Sequence, residues 1–264
     1  MLGRNLILPH PAKRIVSLFP SQTYLLWSLG LDREVLGITR FCKYPSEWKQ
    51  SKKRVGGTKD FHFERIAALN PDLILANKEE NTKEGVEKLA RIFPVYVSEV
   101  ISEQDNIRWI RDIGILTGKE RNAQQIIDRL NAQFQIHKKN IKPLKTAYFI
   151  WKDPYMLAGK NTFIDTMLSL NGFENIALEN EARYPALSLD TIAERNPQLI
   201  LLASEPYPFK EKHRLEIQKF FPRSLILNVS GEPFTWFGSY PLTAFDYFSE
   251  IRKKINHALQ GRKT

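Results

Sequence analysis

One sequence pattern occurs twice in this chain, and the repeat limits the folds that the chain can adopt. The pattern Ile-Ala-x-x-Asn-Pro-x-Leu-Ile-Leu begins at Ile66 and again, 126 residues later, at Ile192. In each copy a helix has to end before the proline, because proline disfavours helical geometry at the preceding residue. The apolar run that follows does not alternate with polar residues, which is typical of a parallel-sheet strand buried on both faces.

A second pair of similar segments supports an internal duplication. Residues 26–37 and residues 167–177 both have the pattern of an amphipathic helix that is closed by a glycine or Asn-Gly C-cap. One such match could arise by chance, whereas two pairs in the same order favour duplication. The sequence therefore predicts an α/β protein of two similar lobes, with polar and aromatic loops at the strand C-termini, where open sheets hold ligands.

The segment between the two halves is predicted to be one long helix. Residues 119–142 contain no glycine or proline, and the apolar positions keep helical spacing at Ala123, Ile126, Ile127, Leu130, Phe134 and His137. At 1.5 Å per residue such a helix is roughly 34 Å long, which is enough to span a domain. We predict an N-terminal lobe at 1–118, a connecting helix at 119–142 and a C-terminal lobe at 143–264.

Composition excludes several classes of protein. The hydrophobic fraction of 42% is that of a folded protein, and a single cysteine excludes an intrachain disulfide. The net charge is +10, but the basic residues are spread along the 264 residues, so nucleic-acid binding is not expected. No run reaches the ~18 apolar residues of a membrane span. Residues 1–10 are too short for a signal peptide, which leaves a cytoplasmic protein or an engineered start as alternatives.

The loops at the predicted strand C-termini are rich in aromatic residues. They contain Phe19, Phe41, Tyr44, Trp151, Tyr155, Tyr184, Tyr207, Phe234, Trp236 and Phe237. Aromatic walls suit a large, flat, partly apolar ligand with polar edges. In the loop after the first strand, Ser21 or Thr23 is predicted to N-cap a helix, which makes this either a place for a polar ligand group or an ordinary turn.

No catalytic set is recognisable in the sequence. Cys42 has no clear His or Asp partner, and the five histidines do not have metal-ligand spacing, so we expect neither a nucleophile nor a metal site. Glu79 and Glu205 are equivalent under the repeat. They could do acid/base work, or they could mark a symmetric docking surface.

Six short motifs follow one another along the chain: Arg14-Ile-Val-Ser-Leu-Phe-Pro-Ser21, Gly37-Ile-Thr-Arg-Phe-Cys42, Val55-Gly-Gly-Thr-Lys59, Ala76-Asn-Lys-Glu-Glu-Asn81, Ser204-Glu-Pro-Tyr-Pro-Phe209 and Phe234-Thr-Trp-Phe-Gly-Ser239. Together and in this order they resemble the motifs of the helical-backbone substrate-binding proteins of ABC importers, the group of vitamin B12, ferric siderophore and haem receptors. The resemblance covers about residues 12–258 and is closest to the cobalamin-type branch.

This resemblance implies two Rossmann-like lobes, one rigid connecting helix and a ligand clamped between the lobes. It implies a monomer outside the cytoplasm, periplasmic or anchored to the cell envelope, without an intrinsic cofactor or enzymatic activity. The ligand would be a cobalt corrinoid or an iron chelate, and the partners an ABC permease and its ATPase. Docking onto the permease is expected through Glu84 and Glu211, or else through Glu79 and Glu205.

Two positions depart from the family pattern. Tyr24 stands where relatives often have an acid, and Asn77 stands where the vitamin B12 receptor has an aromatic residue that stacks on the corrinoid. Ser21, Arg40, Lys59, Asn77 and Lys78 join the aromatic residues as candidate ligand contacts. A siderophore or haem receptor would use basic groups, for which Arg40, Lys59, Lys78 and Arg183 are candidates. A cytoplasmic enzyme or metallochaperone on the same scaffold remains the alternative from another class.

Overall fold

The computed structural model describes residues 6–137 and 143–260. The chain divides into two compact units. The N-terminal unit comprises the chain up to Leu130 together with the short segment Trp236–Tyr240. The C-terminal unit comprises Asn131–Thr235 and the chain from Pro241 onwards. The fold is α/β with two mostly parallel sheets, as the sequence predicts.

In the N-terminal unit, a parallel sheet of five strands has the order β3-β2-β1-β4-β5. The strands are β1 (Ile15–Ser17), β2 (Val35–Ile38), β3 (Lys53–Arg54), β4 (Leu73–Asn77) and β5 (Val95–Ser98). The helices are α1 (Pro20–Ser28), α2 (Trp48–Ser51), α3 (Phe63–Ala67), α4 (Lys83–Ala90) and α5 (Glu103–Thr117). Strand β1 is the central strand of this sheet, and both β1 and its neighbour β4 are fully buried, with Ile15 opposite Leu73.

In the C-terminal unit, a second sheet has the order β10-β9-β6, with β8 parallel and β7 antiparallel to β6. The strands are β6 (Leu144–Trp151), β7 (Met156–Leu157), β8 (Phe173–Asn175), β9 (Leu199–Ala203) and β10 (Leu225–Val229). Helix α6 (Glu120–His137) precedes them, followed by α7 (Phe163–Leu170), α8 (Leu189–Glu194), α9 (Glu211–Phe220), α10 (Glu232–Thr235) and α11 (Pro241–Gln260).

The repeat is visible in atomic detail. Both apolar runs form fully buried strands, β4 and β9. Before each proline, Asn70 and Asn196 have positive φ values of 42° and 51° and end the preceding helix. Asparagine tolerates this left-handed conformation better than most residues. The side chain of the residue after each proline then accepts a backbone N–H at the start of the first strand of its unit. Asp72 accepts from Arg14, just before β1, and Gln198 accepts from Lys145 in β6.

Helix α6 confirms the helical spacing seen in the sequence. Its stripe of Ala123, Ile126, Ile127, Leu130 and Phe134 is buried. Residues 138–142 of the predicted connecting helix lie outside the described residues. The division between the two units falls within this helix, after Leu130, and the predicted lobe boundaries stay predictions.

The prediction of the first helix cap was wrong. Helix α1 begins at Pro20, with Phe19 in the N-cap position and no side-chain cap. Ser21 and Thr23 therefore lie inside the first turns, because proline is well suited to the first position of a helix. By contrast, Ser102 caps α5 through its hydroxyl, and Gly118 ends that helix with a φ of 66°.

Candidate functional site

Three loops of the N-terminal unit meet at one edge of its sheet. Strands β1, β2 and β4 are parallel and end at Ser17, Ile38 and Asn77. The carboxyl ends of parallel strands share one edge. The structure therefore places Phe19, the Arg40–Tyr44 loop and Lys78 along the same edge.

Trp236 lies in an aromatic cluster of the N-terminal unit. Its ring centroid is 6.3 Å from that of Tyr24, 6.1 Å from that of Tyr44 and 4.9 Å from that of Tyr240. Trp27 extends the cluster through Tyr24, at 5.4 Å. Trp236 is only 4% exposed, whereas Tyr44 and Trp27 are 47% and 41% exposed.

Three members of this cluster were missed by sequence reasoning: Tyr24, Trp27 and Tyr240. The spacing of Tyr24 and Trp27 on one helix could have revealed that pair. Tyr240 is far from Tyr24 in the sequence, and only the tertiary fold brings the two rings together.

Phe237 fills a second aromatic position in the N-terminal unit. Its ring stacks on Phe19 at 5.7 Å and meets the edge of Trp109 at 4.9 Å. Phe237 is 4% exposed, so both Trp236 and Phe237 contribute mainly to packing within the segment Trp236–Tyr240 in this structure. A stacking role for either ring would require the ligand to meet its remaining exposed edge.

Phe234 belongs to the core of the C-terminal unit. It has no exposed surface, and its ring lies 4.9 Å from both Tyr148 and Phe248. The prediction that Phe234 faces the ligand is at odds with this burial. The physical reason is that the short helix α10 buries its apolar side against strand β6 and helix α11.

The Asn77 side chain forms hydrogen bonds within its own loop and with the neighbouring strand β5. It is 3% exposed, its Nδ2 donates to Ser98 Oγ at 3.0 Å, and its Oδ1 accepts from the backbone N–H groups of Glu79 and Glu80. The candidate ligand contact is therefore a loop-shaping residue in this structure. The neighbouring Lys78 is exposed.

Ser21 is also buried. It has no exposed surface, and its Oγ has no hydrogen-bond partner. It lies in the first turn of α1, at the carboxyl edge of the sheet. Because a buried hydroxyl without a partner costs free energy, this position suits a polar group of a bound molecule or a water.

The basic residues of the N-terminal edge lie close to carboxylates. Arg40 Nη2 is 2.9 Å from Asp60 Oδ2, and Lys78 Nζ is 2.7 Å from Glu99 Oε2. The Arg40 guanidinium also lies 4.9 Å from the centroid of the Phe41 ring. Burial raises the pKa of Glu80, and the charge of Lys59 opposes this shift.

The C-terminal unit brings its own aromatic residues to the carboxyl edge of its sheet. Trp151 ends β6, is 40% exposed, and meets the half-buried Tyr207 at 5.6 Å between ring centroids. Beside them, Glu216 binds both Lys152 and Tyr155, with Oε1 at 2.7 Å from Lys152 Nζ and 3.0 Å from Tyr155 Oη. These hydrogen bonds hold the pKa of Glu216 below its ordinary value.

Tyr184 and Arg183 are half-buried in the loop that follows α7 and β8. The Arg183 carbonyl accepts the Gly159 N–H at 2.7 Å, which ties this loop to the end of β7. Their roles as candidate ligand contacts stay predictions.

Glu84 and Glu211 each lie exposed in the first turn of a helix, α4 and α9 respectively. Glu211 pairs with Arg214 one turn along its helix, with Oε1 and Oε2 both 2.9 Å from Arg214 Nε. Of the alternative pair, Glu79 is exposed, whereas Glu205 is half-buried against Gly231. The structure thus makes Glu84 and Glu211 the more accessible pair.

Cys42 is a buried residue of the N-terminal unit. Its Sγ lies 3.1 Å from Thr23 Oγ1 and 3.3 Å from Thr39 Oγ1, and burial raises the pKa of the thiol. Within residues 6–137 and 143–260, no three His, Cys, Asp or Glu side chains are arranged to hold a metal ion. None of the helices in these ranges is both long and apolar enough to span a membrane.

Comparison with known proteins identifies the family. The family model for periplasmic binding proteins matches residues 15–227, which is most of the chain. The chain belongs to the periplasmic binding protein family. Members of this family are substrate-binding proteins of transport systems, which confirms the resemblance seen in the six motifs.

Among curated relatives, the vitamin B12-binding protein of Vibrio campbellii is 29% identical over 195 residues, covering 72% of this chain and 70% of its own length. The vitamin B12-binding protein of Pectobacterium carotovorum is 25% identical over 233 residues, covering 85% of this chain and 82% of its own length. Both comparisons thus extend over most of each protein.

Solved structures show the same fold. The periplasmic vitamin B12 binding protein BtuF of Vibrio cholerae aligns with a TM-score of 0.76 at 21% identity, over 91% of this chain and 96% of its own. The periplasmic haem binding protein HutB of Vibrio cholerae aligns with a TM-score of 0.77 at 20% identity, over 90% of this chain and 98% of its own. Similarity at this level of identity establishes the fold of this chain.

Proposed function

We propose that this protein is the substrate-binding component of an ABC importer and that its ligand is a corrinoid of the cobalamin type. The family supports the transport role. The curated relatives, which are vitamin B12-binding proteins, support the ligand class. Each unit has an exposed aromatic residue at the carboxyl edge of its own sheet, Tyr44 in one and Trp151 in the other, and such residues provide flat apolar surface that suits a macrocycle.

One observation carries the choice of a corrinoid over an anionic iron chelate. Arg40 and Lys78, two of the basic groups that an anionic ligand would need, are paired with Asp60 and Glu99. A carboxylate or catecholate ligand would have to compete with these acids for the same cations. A neutral amide-bearing macrocycle does not face this competition, so the N-terminal edge favours it.

The same proposal covers the partners and the location. The protein would act as a monomer outside the cytoplasm and deliver its cargo to a membrane permease driven by an ATPase. Glu84 and Glu211, exposed at the starts of α4 and α9, are the proposed docking residues. We propose no resident cofactor and no enzymatic activity; the cobalt of a corrinoid would be part of the cargo.

Titration of the purified protein tests the ligand class. Cyanocobalamin, haemin and a ferric hydroxamate would each be added while heat and tryptophan fluorescence are recorded. We expect tight one-to-one binding of cyanocobalamin and much weaker binding of the two iron chelates. Binding of haemin or of the hydroxamate in preference to cyanocobalamin would move the protein to the iron-chelate branch. Silence towards all three would favour the cytoplasmic alternative.

A further inference from the structure

His213 is a buried histidine in the first turn of helix α9. It is 6% exposed, and its ring centroid lies 5.4 Å from that of Tyr207 and 5.8 Å from that of Phe209. The half-buried Tyr207 in turn meets the exposed Trp151 at the carboxyl edge of the C-terminal sheet. His213 therefore packs against the inner member of the aromatic pair that this unit brings to its sheet edge.

Two contacts determine which ring nitrogen of His213 carries the proton. The backbone N–H of Lys210 donates to His213 Nδ1 at 2.9 Å. Because a backbone N–H can only donate, Nδ1 has no proton, and the neutral ring carries its proton on Nε2. His213 Nε2 lies 3.4 Å from Tyr207 Oη, so its N–H donates to the phenol oxygen. The phenol O–H of Tyr207 is then left as a donor for a different acceptor.

The surroundings of His213 favour the neutral ring that this arrangement requires. Burial first, and then the charges of Lys212 and Lys152, lower the pKa of His213. Lys210 lowers this pKa further, and Glu216 opposes the shift. Glu216 is itself paired with Lys152, with Oε1 2.7 Å from Lys152 Nζ. A second proton, on Nδ1, would face the backbone N–H of Lys210, so the ring cannot take up that proton and keep its present position.

We propose that His213 is a positioning residue for ligand binding, which holds Tyr207 so that the phenol O–H donates to an acceptor on the ligand. This inference rests on the proposed function, because the amide side chains at the edge of a corrinoid carry carbonyl oxygens that can accept from a phenol. His213 acts through Tyr207 and does not itself have to touch the ligand.

A positioning role of this kind makes ligand binding depend on pH. Protonation of His213 breaks its hydrogen bond with the Lys210 backbone and forces the ring out of its place beside Tyr207. Tyr207 then loses both the donor that orients its hydroxyl and the ring that supports it. The ligand therefore binds more weakly in acid, and it does so only while residues 207 and 213 are tyrosine and histidine.

Two substitutions and their combination separate the contacts of His213. His213→Asn keeps an oxygen that can accept the Lys210 N–H, as the Asp105 carboxylate does at the start of α5. It lacks the second ring nitrogen that donates to Tyr207. Tyr207→Phe keeps the aromatic ring and removes only the hydroxyl. His257→Asn is the matched control, since it removes an exposed histidine of the same unit.

Cyanocobalamin would be titrated into each protein at pH 7.5 and at pH 5.0 while tryptophan fluorescence is recorded. We expect the wild type and His257→Asn to bind at least about threefold more weakly at pH 5.0. At pH 7.5, His213→Asn and Tyr207→Phe should each weaken binding by roughly three- to tenfold, as expected for one hydrogen bond. Both should lose most of the pH dependence. The double variant should bind no more weakly than the weaker single variant, because both changes remove the same interaction.

The outcomes separate this inference from the proposed function. Three results would each overturn the role of His213 and leave the corrinoid function intact: no loss of affinity by the wild type at pH 5.0, an equal loss in His213→Asn, or additive effects of the two changes at pH 7.5. Failure of the wild type to bind cyanocobalamin at pH 7.5 would overturn both. Circular dichroism would check the folding of each protein at both pH values, and Tyr207→Phe decides the question by itself if His213→Asn does not fold.

Discussion

Asn106 and Gly238 hold each other through two hydrogen bonds, although 132 positions separate them in the chain. Asn106 Nδ2 donates to the Gly238 carbonyl at 3.1 Å, and Gly238 N donates to Asn106 Oδ1 at 2.6 Å. Gly238 has a φ of 81°, and a Cβ atom there would lie 2.9 Å from the Trp109 ring. This pair fixes the segment Trp236–Tyr240 within the N-terminal unit.

Asn106→Ala should lower the free energy of unfolding by about 2 kcal/mol, because the two buried backbone groups of Gly238 lose their partner. Guanidinium denaturation followed by tryptophan fluorescence would measure this. Asn122→Ala serves as the control, since Asn122 makes only a 3.4 Å bond to the Leu29 carbonyl. Equal destabilisation by both changes would show that the two Asn106–Gly238 hydrogen bonds contribute no more to the free energy of unfolding than the Asn122 bond does.

Trp151→Ala and Trp236→Ala should differ in their effects. Trp151 is 40% exposed, so its loss should weaken corrinoid binding by about tenfold and change stability little. Trp236 is 4% exposed, so its loss should cost roughly 3 kcal/mol of unfolding free energy. Calorimetric titration and thermal unfolding of both variants would measure the two effects. Unchanged affinity in Trp151→Ala would place the ligand elsewhere.

Removal of the acids that pair with Arg40 and Lys78 should improve the binding of anionic chelates. Asp60→Asn combined with Glu99→Gln leaves both cations without these partners. Because exposed ion pairs are weak, we expect about a threefold rise in haemin affinity, with cyanocobalamin affinity unchanged. Absorbance titration would measure both ligands. A matching rise for cyanocobalamin would contradict the role that we assign to these pairs.

Glu84→Ala combined with Glu211→Ala should reduce uptake of labelled ligand by at least about fivefold and leave ligand affinity unchanged, because charge pairs at an interface control docking. The control is Glu64→Ala combined with Glu174→Ala, which removes two exposed carboxylates from the same two units. Arg214→Ala removes the intrahelical partner of Glu211 and should not lower uptake. Normal uptake by the first double variant would exclude this docking pair.

Acid should destabilise the protein through His213. This residue is 6% exposed, and its Nδ1 accepts the Lys210 backbone N–H at 2.9 Å, which requires the neutral ring. Burial first, and then Lys212 and Lys152, lower the pKa of His213; Glu216 opposes this and Lys210 adds to it. Because the folded pKa lies below the unfolded value of about 6.5, the unfolded state binds the proton first and stability falls as the pH drops below that value.

Thermal unfolding at pH 7.5 and pH 5.0 would measure this loss. His213→Asn retains an oxygen acceptor and cannot take up the proton, so its midpoint should fall less between the two pH values than that of the wild type. His137 also has a pKa lowered by burial and contributes in both proteins, so the difference between them isolates His213. An equal fall in both proteins would assign the acid sensitivity to other groups.

Local sequence patterns were enough to predict the α/β architecture, because helix ends, turns and strands depend mainly on interactions between residues that are close in sequence. The Asn-Pro turns at Asn70 and Asn196 and the caps at Ser102 and Gly118 follow from which backbone angles and hydrogen bonds each residue type permits. Repetition of such a unit, together with an unbroken apolar run, predicts two parallel sheets. One cap failed, at Ser21, because Pro20 could begin the helix one position earlier than the hydroxyl residues.

The candidate site was predicted only in outline. The sequence placed aromatic residues at strand ends, and the structure brings Phe19, Tyr44, Trp151 and Tyr207 to those edges. The sequence could not show that Phe234 lies in the core. Nor could it show that the Asn77 side-chain amide forms its hydrogen bonds within its own loop and with Ser98. A loop sequence rich in aromatic residues looks the same whether those side chains line a ligand site or pack beneath the loop.

By itself, then, the sequence determined the two-sheet α/β fold and the family, since both depend on periodicity, turn residues and ordered motifs. Only the tertiary structure decided that Arg40 and Lys78 are paired with acids and that Asn106 holds Gly238. The physical reason is that burial, desolvation and charge pairing depend on which distant residues become neighbours, and sequence spacing does not contain those distances.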